Sequence, residues 1–184
     1  MHTVDNAQWC RIVMDRTTRD LVAGLDHARF DVLEISGTRW RVGPFQSYRS
    51  QGLPELDICS NTEFQPGYDL VIAEQVLEHT IEPDHAIENI KKLLRPGGYV
   101  LVTTPFLIRY HPCPLDLWRW TESGLCHLFR RHDFEVVSSG SWGNVDCLVA
   151  NLFSWIAYQP AMHNLRNDPN FPLVVWLLGR KAGH

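Results

Sequence analysis

The chain has 184 residues, 45% of them hydrophobic and 21% charged, which suits one globular domain with a sizeable core. The net charge of −4 and the lack of a basic run argue against nucleic acid as a partner. No apolar run reaches the roughly 20 residues that a membrane span needs, and the N-terminus lacks a signal-peptide pattern, so we expect a cytoplasmic protein. The five cysteines are scattered without CxxC spacing, which predicts reduced structural thiols and no metal site.

The first third of the chain predicts a helical segment, a strand and a long loop. Apolar residues recur at near-helical spacing over residues 3–29. Asp31–Ser36 reads as a short buried strand. The next twenty residues contain three glycines and two prolines, which predicts a loop or a single turn. Glu55–Cys59 is predicted as a further short strand.

From residue 68 onward, strands and helices alternate more clearly. The helix that begins near Asp84 ends at Leu94, because Arg95-Pro96-Gly97-Gly98 stops it, and Thr121 caps the next helix. Strands are predicted at 68–74, 99–105, 134–139 and 172–181, and helices at 84–94, 121–132 and 144–162. This alternation predicts an α/β fold with a doubly wound, mostly parallel sheet that has helices on both faces.

In such sheets, ligands bind at the carboxyl ends of the strands, near the point where the strand order reverses. The positions that follow the predicted strands are therefore the candidate site. They are Ser36-Gly37, Asp57, Glu74-Gln75 and the segment from Pro105 to Trp120.

The segment from Tyr68 to Pro105, YDLVIAEQVLEHTIEPDHAIENIKKLLRPGGYVLVTTP, resembles the class I S-adenosylmethionine-dependent methyltransferases, in the form of a small bacterial-type member. The matching motifs are Tyr68-Asp69, the VLEH turn at Val76–His79 and the PGG stop at Leu94–Gly98. The resemblance implies a Rossmann-like fold with a seven-stranded sheet, an antiparallel last strand and S-adenosyl-L-methionine as cofactor. It makes residues 1–184 a single domain, with an N-terminal helical segment over 1–29.

The stretch between Glu34 and Asp69 is shorter than the family pattern leads us to expect. It leaves too little chain for two further complete strand–helix units, so we expect a shortened first half of the sheet. The segment TRWRVGPF after Gly37 also departs from the family, because Trp40 and two arginines stand where small residues usually continue the cofactor motif.

The resemblance assigns the cofactor-binding candidates residue by residue. Glu34, at the end of the first strand, corresponds to the family's acid near the methionine part, and Ser36 and Gly37 form the following turn. Ala73, Glu74 and Gln75 are the positions that the family places beside the methionine moiety. Asp57 has the spacing either of the ribose acid or of an acid next to the adenine, and a surface aspartate is the alternative.

The candidate catalytic and substrate-binding residues lie in the VLEH turn and in the loop 106–121. His79 has either a structural or a catalytic role, since a neutral imidazole can accept a proton from a hydroxyl. In the loop, His111 and Asp116 are further catalytic candidates, and Trp118, Arg119 and Trp120 are substrate-binding candidates. The alternative is that Asp116 and Arg119 bond each other and that the two tryptophans pack into the core.

Two functions follow from these assignments. The first is O-methylation of a polar small molecule, such as a hydroxylated metabolite or a sugar. Such a reaction would belong to small-molecule biosynthesis. The second is a methyltransferase-like protein that acts as a binding or partner subunit or runs other chemistry, because fold alone does not fix function. The apolar segment Cys147–Tyr158 is either a core helix or a surface helix that forms a homodimer face or leans on a membrane.

Overall fold

The structure is a computed structural model that describes residues 7–61 and 63–183, so the predicted helical residues 3–6 lie outside the described part. The helices are α1 (Ile12–Ala23), α2 (Pro83–Leu93), α3 (Glu122–Arg131) and α4 (Val145–Ala150). The strands are β1 (Asp31–Ile35), β2 (Ser47–Gln51), β3 (Tyr68–Glu74), β4 (Leu94–Pro105), β5 (Phe134–Trp142) and β6 (Val174–Lys181). None of these helices is long and apolar enough to cross a membrane.

The strands form one sheet in the order β2-β1-β3-β4-β6-β5. The first four run parallel, and β6 is antiparallel to both of its neighbours. This confirms the Rossmann-like, mostly parallel sheet with an antiparallel last strand. The central strands are continuous apolar runs because both of their faces are covered.

Each face of the sheet carries its own core, and successive residues of β1 point into opposite ones. Leu33 belongs to the larger core, which α2 and α3 cover with side chains such as Ile87, Ile90 and Phe129. Val32 belongs to the core on the other face, where Val22 of α1 and the loop residue Trp40 pack. The helix α3 begins as predicted, because Thr121 Oγ1 accepts a hydrogen bond from Gly124 N at 3.1 Å.

The first half of the sheet is shortened, as expected, but the predicted strand positions there were wrong. Glu55–Cys59 forms turns, whereas the strand β2 lies at Ser47–Gln51, inside the segment predicted as a loop. β2 pairs only with β1 among the described strands, so its sequence SYRSQ is polar and carries no apolar pattern. The sheet therefore has six strands in the described residues and not the seven that the family resemblance implied.

The predicted helix over Asn144–Met162 was also wrong in length, since α4 ends at Ala150. Asn144 caps its start by accepting a hydrogen bond from Cys147 N at 2.8 Å. Asn151 ends it, because its side chain binds Cys147 O at 2.8 Å and also accepts from Ile156 N at 3.2 Å. The chain beyond then pairs with the N-terminal part, where Trp9 N donates to Ile156 O at 2.8 Å.

Two residues with left-handed backbone mark the carboxyl ends of adjacent central strands. Ser36 follows β1 with a φ of 58°, and Gln75 follows β3 with a φ of 54°. Non-glycine residues adopt this region rarely, and they do so disproportionately at functional sites. Both sharp turns therefore lie at the carboxyl ends of β1 and β3, where the site was predicted.

Candidate functional site

The turn after β1 is built around the carboxylate of Glu34. This buried side chain accepts hydrogen bonds from the backbone N–H groups of Arg39 at 2.9 Å and Trp40 at 3.0 Å, and from the Tyr48 hydroxyl at 2.5 Å. Burial and the adjacent Glu34 carboxylate raise the pKa of Tyr48. A Cβ on Gly37 would clash with Oε1 of Glu34, so glycine leaves room for this carboxylate. Glu34 and Gly37 thus shape the turn together.

The departing segment after Gly37 closes one face of the sheet. The Trp40 side chain is buried among Leu70 and Ile72, in the core that α1 covers. The Arg19 guanidinium lies 4.9 Å above the Trp40 ring, and Arg19 Nη2 donates to the Arg39 carbonyl at 3.0 Å. The segment therefore provides apolar cover for the sheet in place of the small residues of the family motif.

Two arginines and two acids form a charged cluster at the carboxyl end of β3. Arg11 Nη2 contacts Glu74 Oε2 at 3.1 Å, and Arg39 Nε lies 3.6 Å from the same oxygen. Asp15 pairs with both arginines. Burial raises the pKa of Glu74, and the Arg11 guanidinium opposes that shift. Arg11 Nε and Asp15 Oδ1 are buried, 3.4 Å apart, and have no hydrogen-bond partner among the described residues.

The other cofactor candidates occupy quite different environments. Ala73 is fully buried in the core, and Gln75 ties β3 to β4, with Nε2 at 3.1 Å from Thr103 Oγ1. Ser36 N donates to the Gln51 carbonyl at 2.8 Å and so joins the turn to β2. Asp57 is exposed in the connection after β2, and its Oδ1 accepts from Cys59 N at 2.8 Å. Asp57 therefore stabilises a local turn instead of ending a strand.

The VLEH motif forms a single 3-10 turn over Leu77–His79, directly after β3. The side chain of Glu78 is fully buried, and neither of its carboxyl oxygens has a hydrogen-bond partner among the described residues. Burial raises the pKa of Glu78 to about 8. His79 Nε2 lies 3.7 Å from Glu78 Oε1, and His79 Nδ1 contacts the carbonyl of Leu115.

The loop 106–121 lies over this turn and is pinned to it by backbone hydrogen bonds. Leu117 N and Trp118 N both donate to the Glu78 carbonyl, at 2.8 and 3.3 Å. The Trp118 indole donates to the Thr80 carbonyl at 2.8 Å. Because of these contacts, the loop brings His111 to the turn, and the rings of His79 and His111 meet edge to face with centroids 5.5 Å apart.

Within the loop, Asp116 holds His111 and Arg119 in place. Its carboxylate accepts from His111 N at 2.8 Å and from Arg119 Nη2 at 2.7 Å, while His111 Nδ1 lies 3.3 Å from Oδ2. Hydrogen bonding from Arg119 lowers the pKa of Asp116 to about 2. Asp116 is therefore ionised at neutral pH and suits the orientation of His111 better than the acceptance of a proton.

The two tryptophans of the loop lie in one layer, with ring centroids 6.0 Å apart. Trp118 is 40% exposed, and the half-buried Trp120 packs against the larger core. Both line an open cavity of about 610 Å³, which extends to Ile81, His85 and Arg131. The tryptophans thus belong partly to the core and partly to this cavity.

The structure joins the predicted residues into two neighbourhoods. The turns at Glu34 and Glu74 form one, and His79, His111 and Asp116 form the other. The sequence patterns did not predict a role for Arg11 and Asp15, which complete the charged cluster, or for the buried Glu78 carboxyl as a separate feature. The i,i+4 spacing of Arg11 and Asp15 on a helix was the one sequence signal for their pairing.

Comparison with known families identifies the family to which this fold belongs. The family described as a methyltransferase domain matches residues 8–139, which is more than half of the chain. The protein belongs to this methyltransferase family. With its sheet order and antiparallel last strand, it is a class I S-adenosylmethionine-dependent methyltransferase domain.

Several solved structures, methyltransferases among them, share the fold at low sequence identity. An S-adenosylmethionine-dependent methyltransferase from Mesorhizobium loti superposes with a TM-score of 0.60 at 13% identity, over 90% of this chain and 96% of that one. A chain in the Haloferax volcanii complex of the methyltransferase activator Trm112 with a methyltransferase gives 0.61 at 14%, over 95% and 93%. The [4+2]-cyclase SpnF gives 0.60 at 17%, over 97% and 84%.

The curated relatives are far larger proteins that match only a short segment. Squalestatin tetraketide synthase from Phoma sp. is 46% identical over 52 residues, and fumosorinone synthetase from Cordyceps fumosorosea is 43% identical over 49 residues. Each match covers 26% of this chain, and it spans 2% and 1% of the two relatives.

The charged cluster provides a test of whether the family's cofactor suits this methyltransferase domain. The amino-acid end of S-adenosylmethionine carries an ammonium and a carboxylate. Arg11 and Arg39 match the carboxylate, and Asp15 and Glu74 match the ammonium. Arg11 Nε and Asp15 Oδ1 form a buried ion pair at 3.4 Å without a hydrogen bond, so each atom has hydrogen-bonding capacity that the described residues do not use. The residues present therefore fit the amino-acid end of the cofactor.

Proposed function

We propose that this protein transfers a methyl group from S-adenosylmethionine to a hydroxyl oxygen of a polar small molecule, such as a sugar or a hydroxylated metabolite. The charged cluster supports the proposal most directly, because it complements a zwitterionic amino acid at the carboxyl edge of β1 and β3. The cofactor supplies an activated methyl group, so the protein needs mainly to align the two reactants and exclude water.

In this proposal, Glu74 with Arg11, Asp15 and Arg39 binds the amino-acid end of the cofactor. Ser36, Gly37 and Gln75 shape the turns around it, while Glu34 fixes the first turn from within. Ala73 lies beneath the site in β3. The exposed Asp57 is the proposed contact to the adenosine.

The acceptor hydroxyl must lose its proton as the methyl group arrives, and the imidazole pair provides a base. The Nδ1 atom of His111 lies nearest to two acceptors, the Arg109 carbonyl and the Asp116 carboxylate, with the donor Arg119 Nη2 farther away at 3.5 Å. This favours a proton on Nδ1 and a free lone pair on Nε2. His79 is the second candidate base. Trp118 and Trp120 would bind the substrate at the cavity that they line, where stacked rings and polar groups suit a hydroxylated ring. Arg119 is the third proposed substrate-binding residue, and it lies beside Asp116 in the same loop.

We also propose that residues 1–184 form one domain and that it pairs with a second copy. Exposed apolar side chains lie in the last turn of α4 and in the chain that follows it, namely Val149, Leu152, Phe153 and Met162, and Phe153 is 88% exposed. Light scattering on the wild type and on Phe153→Ser would test pairing. A wild type that is monomeric at every concentration would contradict it.

The methyl-transfer proposal is tested by calorimetric titration with S-adenosylmethionine, followed by labelled methyl transfer into a metabolite extract. We expect saturable binding by the wild type and weaker binding by Glu74→Gln, since that variant removes a charge from the cluster. Glu135→Gln changes an exposed acid elsewhere in the sheet and serves as the matched control. A wild type that fails to bind at millimolar cofactor would contradict the proposal.

The second candidate is a methyltransferase fold used for other chemistry or as a partner subunit. It is favoured by Glu34, whose carboxylate is already occupied by the turn, and by the Trp40 segment that replaces the family motif. The structural likeness to SpnF, named as a [4+2]-cyclase, supports other chemistry, and the likeness to a chain of the Trm112–methyltransferase complex supports a role within a complex. Cofactor binding without methyl transfer to any component of the extract would favour this candidate.

A further inference from the structure

Three potential metal ligands meet where the loop 106–121 crosses the VLEH turn. Glu78 and His79 come from the turn, and His111 comes from the loop. Each offers one ligand atom, and these atoms all lie within 4.8 Å of one another. We call this group the Glu–His–His cluster. It was not expected from the sequence, because its members come from two segments more than thirty residues apart.

Glu78 is the most unusual member of the cluster. A buried carboxyl group without a hydrogen bond is rare, because its removal from water is not compensated. Both oxygens of Glu78 are in that state among the described residues, although its backbone carbonyl accepts two hydrogen bonds. The group faces His79 Nε2 at 3.7 Å, which is beyond a good hydrogen bond. A cation between them would satisfy both groups.

The two imidazoles are oriented as metal-binding histidines usually are. His79 Nδ1 contacts the Leu115 carbonyl, and His111 Nδ1 lies 3.0 Å from the Arg109 carbonyl and 3.3 Å from an Asp116 oxygen. The nearest neighbours of both Nδ1 atoms are acceptors, and the one donor beside His111 Nδ1, Arg119 Nη2, is farther away at 3.5 Å. This arrangement favours a proton on each Nδ1 and a free lone pair on each Nε2. Metal-bound histidines typically donate their other ring N–H to a carboxylate or backbone carbonyl in this way.

We propose that Glu78, His79 and His111 bind one divalent transition-metal ion of the zinc class. Two imidazoles and one carboxylate leave a fourth position for water or a substrate oxygen. The mixed nitrogen and oxygen ligands favour zinc, iron, nickel or copper over magnesium and calcium, which prefer oxygen.

The distances require only small movements. Ligand atoms around a tetrahedral zinc lie roughly 3.3 Å apart, given bonds of about 2.0–2.1 Å. The Glu78–His79 separation of 3.7 Å needs a shift of a few tenths of an ångström. His111 lies on the loop, and a shift of its ring by at most roughly 1.5 Å would bring it within range.

The nearest cation does not oppose a metal ion strongly. Arg119 is paired with Asp116 through both of its terminal nitrogens, so its charge is largely balanced. In the loaded protein, the metal takes the lone pair that would otherwise accept the substrate proton. The proposal concerns metal binding itself and does not depend on methyl transfer.

The test is titration of the chelator-treated full chain with Zn²⁺ by calorimetry, with Co²⁺ absorption to report the ligand type. We expect one equivalent to bind. The affinity should fall by more than about 100-fold in His111→Ala and Glu78→Gln, and by about 10–100-fold in Asp116→Asn, which alters only a residue behind His111. Glu78→Gln keeps the shape of the side chain, so it separates loss of a ligand from loss of the fold.

Two control variants exclude other ligands. His127→Ala removes an exposed histidine of α3, and Cys113→Ser removes the exposed thiol of the loop, and neither should change the affinity. A wild type that binds no Zn²⁺, or equal binding by the wild type, His111→Ala and Glu78→Gln, would overturn the proposal. Co²⁺ bands of thiolate ligation that disappear in Cys113→Ser would also overturn it. Cofactor titration is a separate measurement, so metal binding and methyl transfer can fail independently.

Discussion

At the scale of single residues, the carboxyl edge of the sheet depends on carboxyl groups with very different surroundings. Glu34 accepts three hydrogen bonds, Glu74 faces two arginines, and Glu78 has no hydrogen-bond partner among the described residues. A buried carboxyl that is satisfied stabilises a fold, whereas an unsatisfied one lowers stability unless a ligand or proton occupies it. The three glutamates therefore divide into one structural group and two groups that can serve a ligand.

The structural role of the Glu34 carboxylate leads to a prediction about Gly37. In Gly37→Ala, the new methyl group clashes with the Glu34 carboxylate, which cannot move without loss of its hydrogen bonds. We expect the free energy of unfolding to fall by about 1–3 kcal/mol, as for other overpacked sites. Urea unfolding without any cofactor measures this. Gly67→Ala is the control, because its nearest neighbour would be 3.9 Å away. Equal stability of both variants would contradict this role of Gly37.

The sequence placed Glu34 and Gly37 correctly at the end of a strand, but it did not predict what they contact. The Tyr48 hydroxyl that binds Glu34 comes from β2, a strand whose polar sequence gave no periodic signal. Likewise, the pairing of Glu74 with Arg11 joins positions 63 residues apart in the chain. Local patterns predict where a strand ends, whereas the partners of a side chain depend on how distant segments pack.

At the scale of elements, the strongly patterned segments were predicted well and the polar or irregular ones were not. The α2 and β4 region has both a helical apolar stripe and a continuous apolar strand, so the bounds of α2 and the end of β4 at Pro105 were predicted to within one residue. The start of β4 was wrong, because the strand begins at Leu94 and not at Tyr99. The segment after α4 is equally apolar, but Asn151 turns the chain there and the apolar residues beyond it are largely exposed. Composition alone did not distinguish this surface from a core helix.

The segment that contains Trp40 is neither helix nor strand, but it covers one face of the sheet as a helix would. Trp40 is 3% exposed and fills the core on the α1 face, so Trp40→Ala should lower the free energy of unfolding by about 3–5 kcal/mol. Trp155→Ala is the matched control, because the residue Trp155 is 37% exposed, and its loss should have a much smaller effect. Chemical unfolding followed by far-UV circular dichroism compares them. Similar losses in both variants would show that Trp40 does not provide cover for the sheet.

At the scale of the whole molecule, the charged groups differ between the two ends of the parallel strands, which we call the carboxyl edge and the amino edge of the sheet. The carboxyl edge carries the charged cluster and the Glu–His–His cluster, both with buried groups that are incompletely satisfied. The amino edge carries a compact ion-pair group in which Arg95 of β4 bonds Asp31 of β1 at 2.8 Å and Asp69 of β3 at 2.6 Å. The ion pairs of Arg95 therefore tie three strands together at the amino ends, while at the carboxyl ends only some of the buried polar atoms lack a hydrogen-bond partner among the described residues.

The amino edge makes a prediction about stability in acid. The Ser47 hydroxyl and the Arg95 guanidinium lower the pKa of Asp31 in the folded protein. Its contribution is therefore fully present above the unfolded pKa of about 3.9, and it is lost as the pH falls through the lower folded value. Because the pair is partly exposed, we expect Asp31→Asn to remove at most about 1 kcal/mol at neutral pH.

The difference in the free energy of unfolding between the wild type and Asp31→Asn should shrink as the pH is lowered from about 5 towards 2, since the wild-type carboxylate is then protonated as well. Urea unfolding at several pH values measures the difference. Asp26→Asn is the control, because Asp26 and its partner Arg29 are 72% and 82% exposed and their pair should contribute little at any pH. A difference for Asp31→Asn that stays constant across this range would mean that its charge does not help to hold the amino edge together.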